Sequence, residues 1–396
     1  MARNGYDDEG DSQTYTDVEQ SWGGAAPRIG IGFNAATENA GFVMDLHTWA
    51  DSTIKVGDNC YVWVKPIDMV KLTLGKNDSS LGTNSCFGLW DWMRVGAISG
   101  EENDIFDKHI NRNVSAIITP IEGLTIGMGM NPAVDGTQYK LADVFGRTGA
   151  IAVTYNIAGV GTVKVGVQGD GRDSDAYASS NGTVTKTAAK QKYYEDDDGG
   201  DYKDYAVFNA AFELTAVENL WAAIGVKYGT EAYVAAGFDK NGNLTTSAAD
   251  IKTDIKTDDG NVVYVKAFTP EIALAASYKV DALTLHLNGD IKLDRPDLKE
   301  EEVDGQLGFK VGAGVEYNLD GGLSLLADVR YANGIWMKGT SADHSDSLVF
   351  GVAALKNVTN GSIGVGFETW TNGVQKSATD DPELAWAIPV RFQVGF

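Results

Sequence analysis

Asp343 and His344, with Asp346 two residues further on, are the nearest this chain comes to a carboxylate–imidazole pair able to activate water. No nucleophile or second carboxylate pair completes the constellation, and neighbours in a polar loop meet by chance. The other histidines, His47, His109 and His286, are scattered. No Ser-centred elbow, P-loop or paired metal-ligand motif occurs, and Gly30-Ile31-Gly32 is a fragment of a dinucleotide fingerprint with no helix expected after it. The acidic runs Glu195–Asp201 and Lys299–Asp304 gather carboxylates of the kind that bind Ca²⁺ or Mg²⁺, but neither has the spacing of a calcium loop. Cys60 and Cys86 could form one disulfide, which would imply an oxidising compartment. One falls in an expected strand and the other in an expected loop. The chain is therefore not expected to be an enzyme, and neither a catalytic residue, a metal nor a cofactor is expected.

The remaining charged residues sit in a strict pattern, and the pattern defines the elements that hold them. In 306–319, Leu307, Phe309, Val311, Ala313, Val315, Tyr317 and Leu319 alternate with Gln306, Gly308, Lys310, Gly312, Gly314, Glu316 and Asn318. In 283–294, Leu283, Leu285, Leu287, Ile291 and Leu293 share one face, and Thr284, His286, Asn288, Asp290 and Lys292 the other. A period of two means strands with one apolar and one polar face. Such strands recur along the chain and meet in short turns, among them Pro120–Leu124, Ala216–Leu220, Val280–Leu283, Leu319–Leu323 and Val358–Gly361. Asn, Asp and Gly in these turns supply the backbone angles of tight hairpins. Between the hairpins lie long polar stretches, roughly 78–108, 131–146, 170–203, 230–271, 295–305, 335–345 and 374–383, within one of which 232–238 and 261–268 are expected to pair. Short turns thus alternate with long loops, as in barrels that cross a membrane. A soluble sandwich also alternates, with its apolar face inward, but has no reason to keep its long connections at one end. No run of apolar residues is long enough for a membrane helix.

The last strand carries a more specific signal. Trp386, Ile388, Val390, Phe392, Val394 and Phe396 share one face, and Ala387, Pro389, Arg391, Gln393 and Gly395 the other. This resembles the C-terminal signature of bacterial outer-membrane β-barrel proteins of the porin kind. The resemblance implies that Trp386, Phe392, Val394 and Phe396 form an assembly signal read by the barrel-assembly machinery. It also implies insertion in outer-membrane lipid. Pro389 is the departure, because it cannot donate to a ladder; a bulge, or a site where its donor would face no partner, is expected there.

The expected fold is all-β, a transmembrane antiparallel up-and-down barrel of about 16 strands, with 14–18 the range. Residues 1–27 are expected to be a flexible acidic N-terminal extension and 28–396 the barrel, with 28–35 either lengthening the first strand or adding one. A bulge near Asp58 is expected to restore the alternation of 53–65. Met1–Gln20 has neither the cationic nor the apolar part of a signal peptide, so on the barrel reading the chain is expected to be a mature or recombinant form of a precursor that carried one. A barrel this wide encloses water. Its pore-lining candidates are Lys292, Lys310, Arg330, Arg391, Asp290, Glu316, Asp328 and Glu368, with Arg330, Arg391, Lys310 and Lys292 as a basic wall facing acids from an infolded loop. Trp90-Asp91-Trp92, in the first long loop, is the candidate for that loop's anchor. Trp221 points inward, where it could stack on a sugar. The net charge of −23 argues against nucleic acid as a partner. The expected function is passive diffusion of small hydrophilic solutes or ions, with a homotrimer the usual assembly of porins of this size; the alternative is a non-conducting adhesin or antigen displaying acidic loops.

Overall fold

The computed structural model describes residues 1–7, 10–16, 29–48, 53–77, 81–89, 103–106, 110, 113–130, 149–169, 206–229, 232–235, 237–238, 244–245, 263–266, 270–294, 306–337, 346–374 and 383–395. The acidic runs, Trp90–Trp92, the Asp343–His344 pair and Phe396 lie outside these residues.

The strands are β1 (Ala2–Tyr6), β2 (Ser12–Thr16), β3 (Gly30–Ala36), β4 (Ala40–Thr48), β5 (Ile54–Ile67), β6 (Val70–Lys76), β7 (Thr83–Ser85), β8 (Asn103–Phe106), β9 (Val114–Ile121), β10 (Leu124–Met130), β11 (Ala150–Ile157), β12 (Gly161–Gly169), β13 (Ala206–Leu214) and β14 (Leu220–Gly229). Four short strands follow, β15 (Ala232–Ala235), β16 (Gly237–Phe238), β17 (Leu244–Thr245) and β18 (Val263–Lys266). The chain continues with β19 (Glu271–Val280), β20 (Leu283–Asp294), β21 (Gln306–Leu319), β22 (Leu323–Ala332), the single helical turn α1 (Gly334–Met337), β23 (Ser347–Val358), β24 (Gly361–Val374), β25 (Glu383–Ile388) and β26 (Val390–Val394).

Each wall strand from β3 onward pairs antiparallel with the next: β3 to β6, then β9 to β14, then β19 to β24, and finally β25 and β26. This is an up-and-down β-barrel wall. The expected pairing within the 230–271 connection is present, as β15 against β18. Tight turns collect at one end of the wall and long connections at the other. The turns use the residue types that tolerate positive φ: Asn219, Asp281 and Asn360 have φ of 63°, 52° and 62°, and Gly123, Gly159, Gly321 and Gly322 lie between 71° and 80°.

Alternation sets the two faces, in the sense opposite to a soluble protein. On β22, Leu325 and Val329 point outward and stay exposed, while Ser324, Asp328 and Arg330 point inward and are buried. The same holds round the wall: Val165, Phe208, Ile224, Leu274, Leu287, Val315, Phe350 and Val365 are all at least one third exposed on the outer face. A continuous outward apolar band is stable only against hydrocarbon, and a barrel leaves no ladder edge to be satisfied there. The fold is thus a transmembrane barrel.

Four local features differ from, or sharpen, the reading of the sequence. The segment 28–35 is an independent strand, β3, so the consecutive wall has one strand more than the count of 16. Residues 2–6 and 12–16, assigned above to a flexible extension, form a hairpin whose β1 extends the sheet along the free edge of β25, with Arg3 opposite Ala387. The Asn4 amide staples it there, donating to the Leu384 carbonyl (3.0 Å) and accepting from the Trp386 N–H (2.7 Å). Around Asp58 the ladder jumps from Met44–Cys60 to Leu46–Val56, which is the expected bulge. Pro389, in contrast, causes no bulge. Val365–Val390 and Glu368–Ala387 stay in one register, and Gly366 donates to the Pro389 carbonyl at 3.0 Å. The return bond of that pair is the one the proline cannot make. No disulfide joins Cys60 to Cys86.

Candidate functional site

Parts of the connection between β6 and β9 lie inside the barrel: residues 81–89, 103–106 and 110 sit against the inner wall. Ile105, Phe106 and Ile110, all 1% exposed, pack on Ala150, Ala152, Ala211, Ala223, Ala273 and Ala275, inward residues of the four strands β11, β13, β14 and β19. Phe87 stacks on the His286 ring at 5.2 Å and nearly parallel, and Leu89 packs on Leu326 and Ala353. Large side chains from the segment meet small ones from the wall, so the backbones come close. A Cβ on Gly225 would collide with the Ile105 carbonyl, and one on Gly314 with the Phe87 ring. Gly225→Leu should therefore expel 103–106 from its seat and make that stretch cleavable by protease in the folded barrel. Protection equal to that of the unsubstituted protein would count against the packing.

Polar ties hold the same segment. The Asp328 carboxylate accepts the buried Leu89 N–H at 2.9 Å. At the segment's start the Lys164 ammonium donates to the Gly82 carbonyl (3.0 Å) and to the Thr83 hydroxyl, which in turn donates to Glu213 (2.6 Å). Beneath these ties, towards the turn end, a cavity of about 700 Å³ opens, lined by Thr119, Thr125, Thr154, Asn156, Thr162 and Glu213 among others.

The expected pore residues fall into separate groups. Arg330 bridges Asp328 (3.2 Å) and Glu368, and none of the three side chains is exposed. Two wall carboxylates on β22 and β24 therefore face its charge. Lys292 and Lys310 flank the Trp336 ring, at 4.3 and 4.8 Å from its centroid. Asp290, 2% exposed, has Glu271, Lys310 and Lys227 as its charged neighbours. Glu316 is partly open and lies 4.0 Å from His286. Arg391 pairs in register with Gly364, whereas Arg330 is aligned through Val349 with Trp370. Those rungs are six residues apart on β24, roughly 20 Å. Arg330, Arg391, Lys310 and Lys292 consequently do not form one basic wall. Trp221 packs on the Ile105–Ile110 cluster, a structural task that differs from sugar stacking. In the last strands Phe392 and Val394, expected to belong to an assembly signal, are 71% and 65% exposed on the outer face, and Trp386 is half-buried beside Asn4.

The alternation rule missed the apolar inner surface. Its signal was present: alanine and glycine recur at inward positions of β11, β13, β14 and β19, opposite a polar connection that contains Ile105-Phe106 and Ile110.

This arrangement defines a class: a transmembrane β-barrel whose lumen is narrowed by its own first long connection. No family model and no curated protein matches the chain. Among solved structures it is similar to an anion-selective porin from Comamonas acidovorans, with 13% identity over 100% of this chain and 96% of that one and a TM-score of 0.46. It is also similar to OccK11 (OpdR) of Pseudomonas aeruginosa, at 10% identity over 100% and 95% with a TM-score of 0.45, and to OprB of Pseudomonas putida, at 11% over 100% and 92% with a TM-score of 0.43. The barrel assignment rests on the strand pairing and the outward apolar band.

Proposed function

We propose that the chain is an outer-membrane porin, a passive channel for small hydrophilic solutes or ions. The observation that carries this is that residues 81–89, 103–106 and 110 of the β6–β9 connection are held inside a wide barrel by ties to its wall. A barrel of this width is not filled by its own side chains. An internal constriction is of use to a channel that sorts by size, and is of none to a barrel serving only to display loops. The aqueous path is lined by polar inward residues such as Thr154, Thr162, Lys164 and Glu316. On this reading the lipid of the outer membrane surrounds the apolar band, the barrel-assembly machinery reads the last strand, and copies associate as a homotrimer.

Purified, detergent-folded protein added to planar bilayers should conduct in discrete steps, and proteoliposomes should swell in small sugars and not in large ones. Heat-modifiable migration would establish that the barrel is folded in the same sample. A folded barrel that never conducts would defeat the channel reading and favour a surface-display role.

A further inference from the structure

A second element also enters the lumen. The single turn α1 leaves β22 at Asn333 and bends inward over β20 and β21. Both flanks of the bend are held. The Asn333 side chain accepts from the Phe309 and Trp336 N–H groups, each at 3.0 Å, and donates to the Leu307 carbonyl at 2.8 Å. Asp346 accepts the Gly334 N–H at 2.7 Å and the Tyr331 hydroxyl, and Asn372 donates to the Asp346 carbonyl at 2.6 Å. The outcome is that Trp336, 7% exposed, is pressed into the wall with Phe87, Ala332 and Val349. Its ring receives Lys292 and Lys310, and Lys310 is 2% exposed.

Both inward elements therefore pack on one arc of the wall, from β9 round to β24. The other arc is more open. Every residue of β2 and β3 is exposed, and on β5 and β6 Lys65 and Lys71 stay only partly buried, 5.8 and 5.2 Å from the Trp63 ring.

We infer that Trp336 is a positioning residue that seals the β20–β21 side of the lumen and withholds the buried Lys310 from permeating ions, leaving the partly buried Lys65, Lys71 and Lys292 to set selectivity. The selectivity part rests on the channel reading; the sealing does not. An ammonium held over an indole in a desolvated niche attracts the ring and is shielded by it. A permeating anion cannot approach it without displacing the ring.

Two measurements test this. The first is lysine acetylation by a water-soluble succinimidyl ester on the native folded barrel, read by mass spectrometry. Lys310 should react roughly tenfold more slowly than Lys65, Lys71 and Lys292, the factor one desolvated cation–π contact is worth. Trp336→Ala should remove that protection and Trp336→Phe should largely keep it. Equal rates in the unsubstituted protein would overturn the sealing, whether or not the barrel conducts and whether or not Trp336→Ala folds. The second is the reversal potential across a salt gradient. Trp336→Ala should shift it towards anions, and adding Lys310→Met should cancel the shift. An unshifted potential in a conducting Trp336→Ala barrel would overturn the selectivity claim. A silent unsubstituted barrel would overturn it together with the channel reading and leave the acetylation result to stand alone.

Discussion

Replacing Arg330 by methionine should destabilise the folded barrel by about 3–5 kcal/mol, the usual cost of removing one partner from a buried ion pair. The guanidinium sits between Asp328 and Glu368 with all three side chains shut off from solvent. Without it, two carboxylates share an enclosed space with no cation between them, and their repulsion goes unrelieved. Asp328 also holds the Leu89 N–H, so the disturbance passes directly to the infolded segment. The midpoint of urea unfolding, followed by heat-modifiable migration, would report the loss. Arg330→Lys should lose less, because it keeps the charge yet cannot offer the planar fork that reaches both acids. Combining Arg330→Met with Asp328→Asn and Glu368→Gln should recover much of the loss, which packing alone would not do. A methionine variant as stable as the unsubstituted protein would mean that the triad is not a structural centre.

The second large effect separates neighbours one residue apart. Val315 lies on the outer face and is 40% exposed, while Glu316 points inward. Val315→Arg should cost about 2 kcal/mol or more, since an arginine on the lipid face near the midplane carries a penalty of that order. Folded yield in lipid vesicles should fall accordingly. Glu316→Gln, which removes a charge at the next position, should leave folding unchanged because that side chain lies on the aqueous side. If the two substitutions exchanged their effects, the apolar residues would be facing a dry interior and the barrel reading would fail.

How much of this was legible in the sequence varies with the range of the interaction involved. Strand period and turn chemistry are local. Asn219, Asp281 and Asn360 were readable as turn residues and do take positive φ. The bulge near Asp58 was readable because the alternation itself breaks there. The N-terminal hairpin was not, since Arg3, Asn4 and Gln13 carry no apolar alternation and pair only because β25 offers an open edge. Inward charges could be placed on the correct face but not grouped. Arg330 and Glu368 are 38 residues apart, and only the stagger of three strands decides that they meet while Arg391 stands apart. The interior role of the β6–β9 connection's described residues needed both partners at once, Ile105 and Phe106 on one side and four alanine-bearing strands on the other.

The Asn4 staple has a consequence for how the molecule comes to be. Its partners Leu384 and Trp386 stand 380 and 382 residues away. Such a bond can form only after almost every other rung is in place, because the ends of so long a chain meet late and at an entropic penalty. Docking of β1 on β25 thus belongs to the latest steps of folding. Until it happens, the outer edge of β25 is an unpaired ladder that any other extended segment could meet.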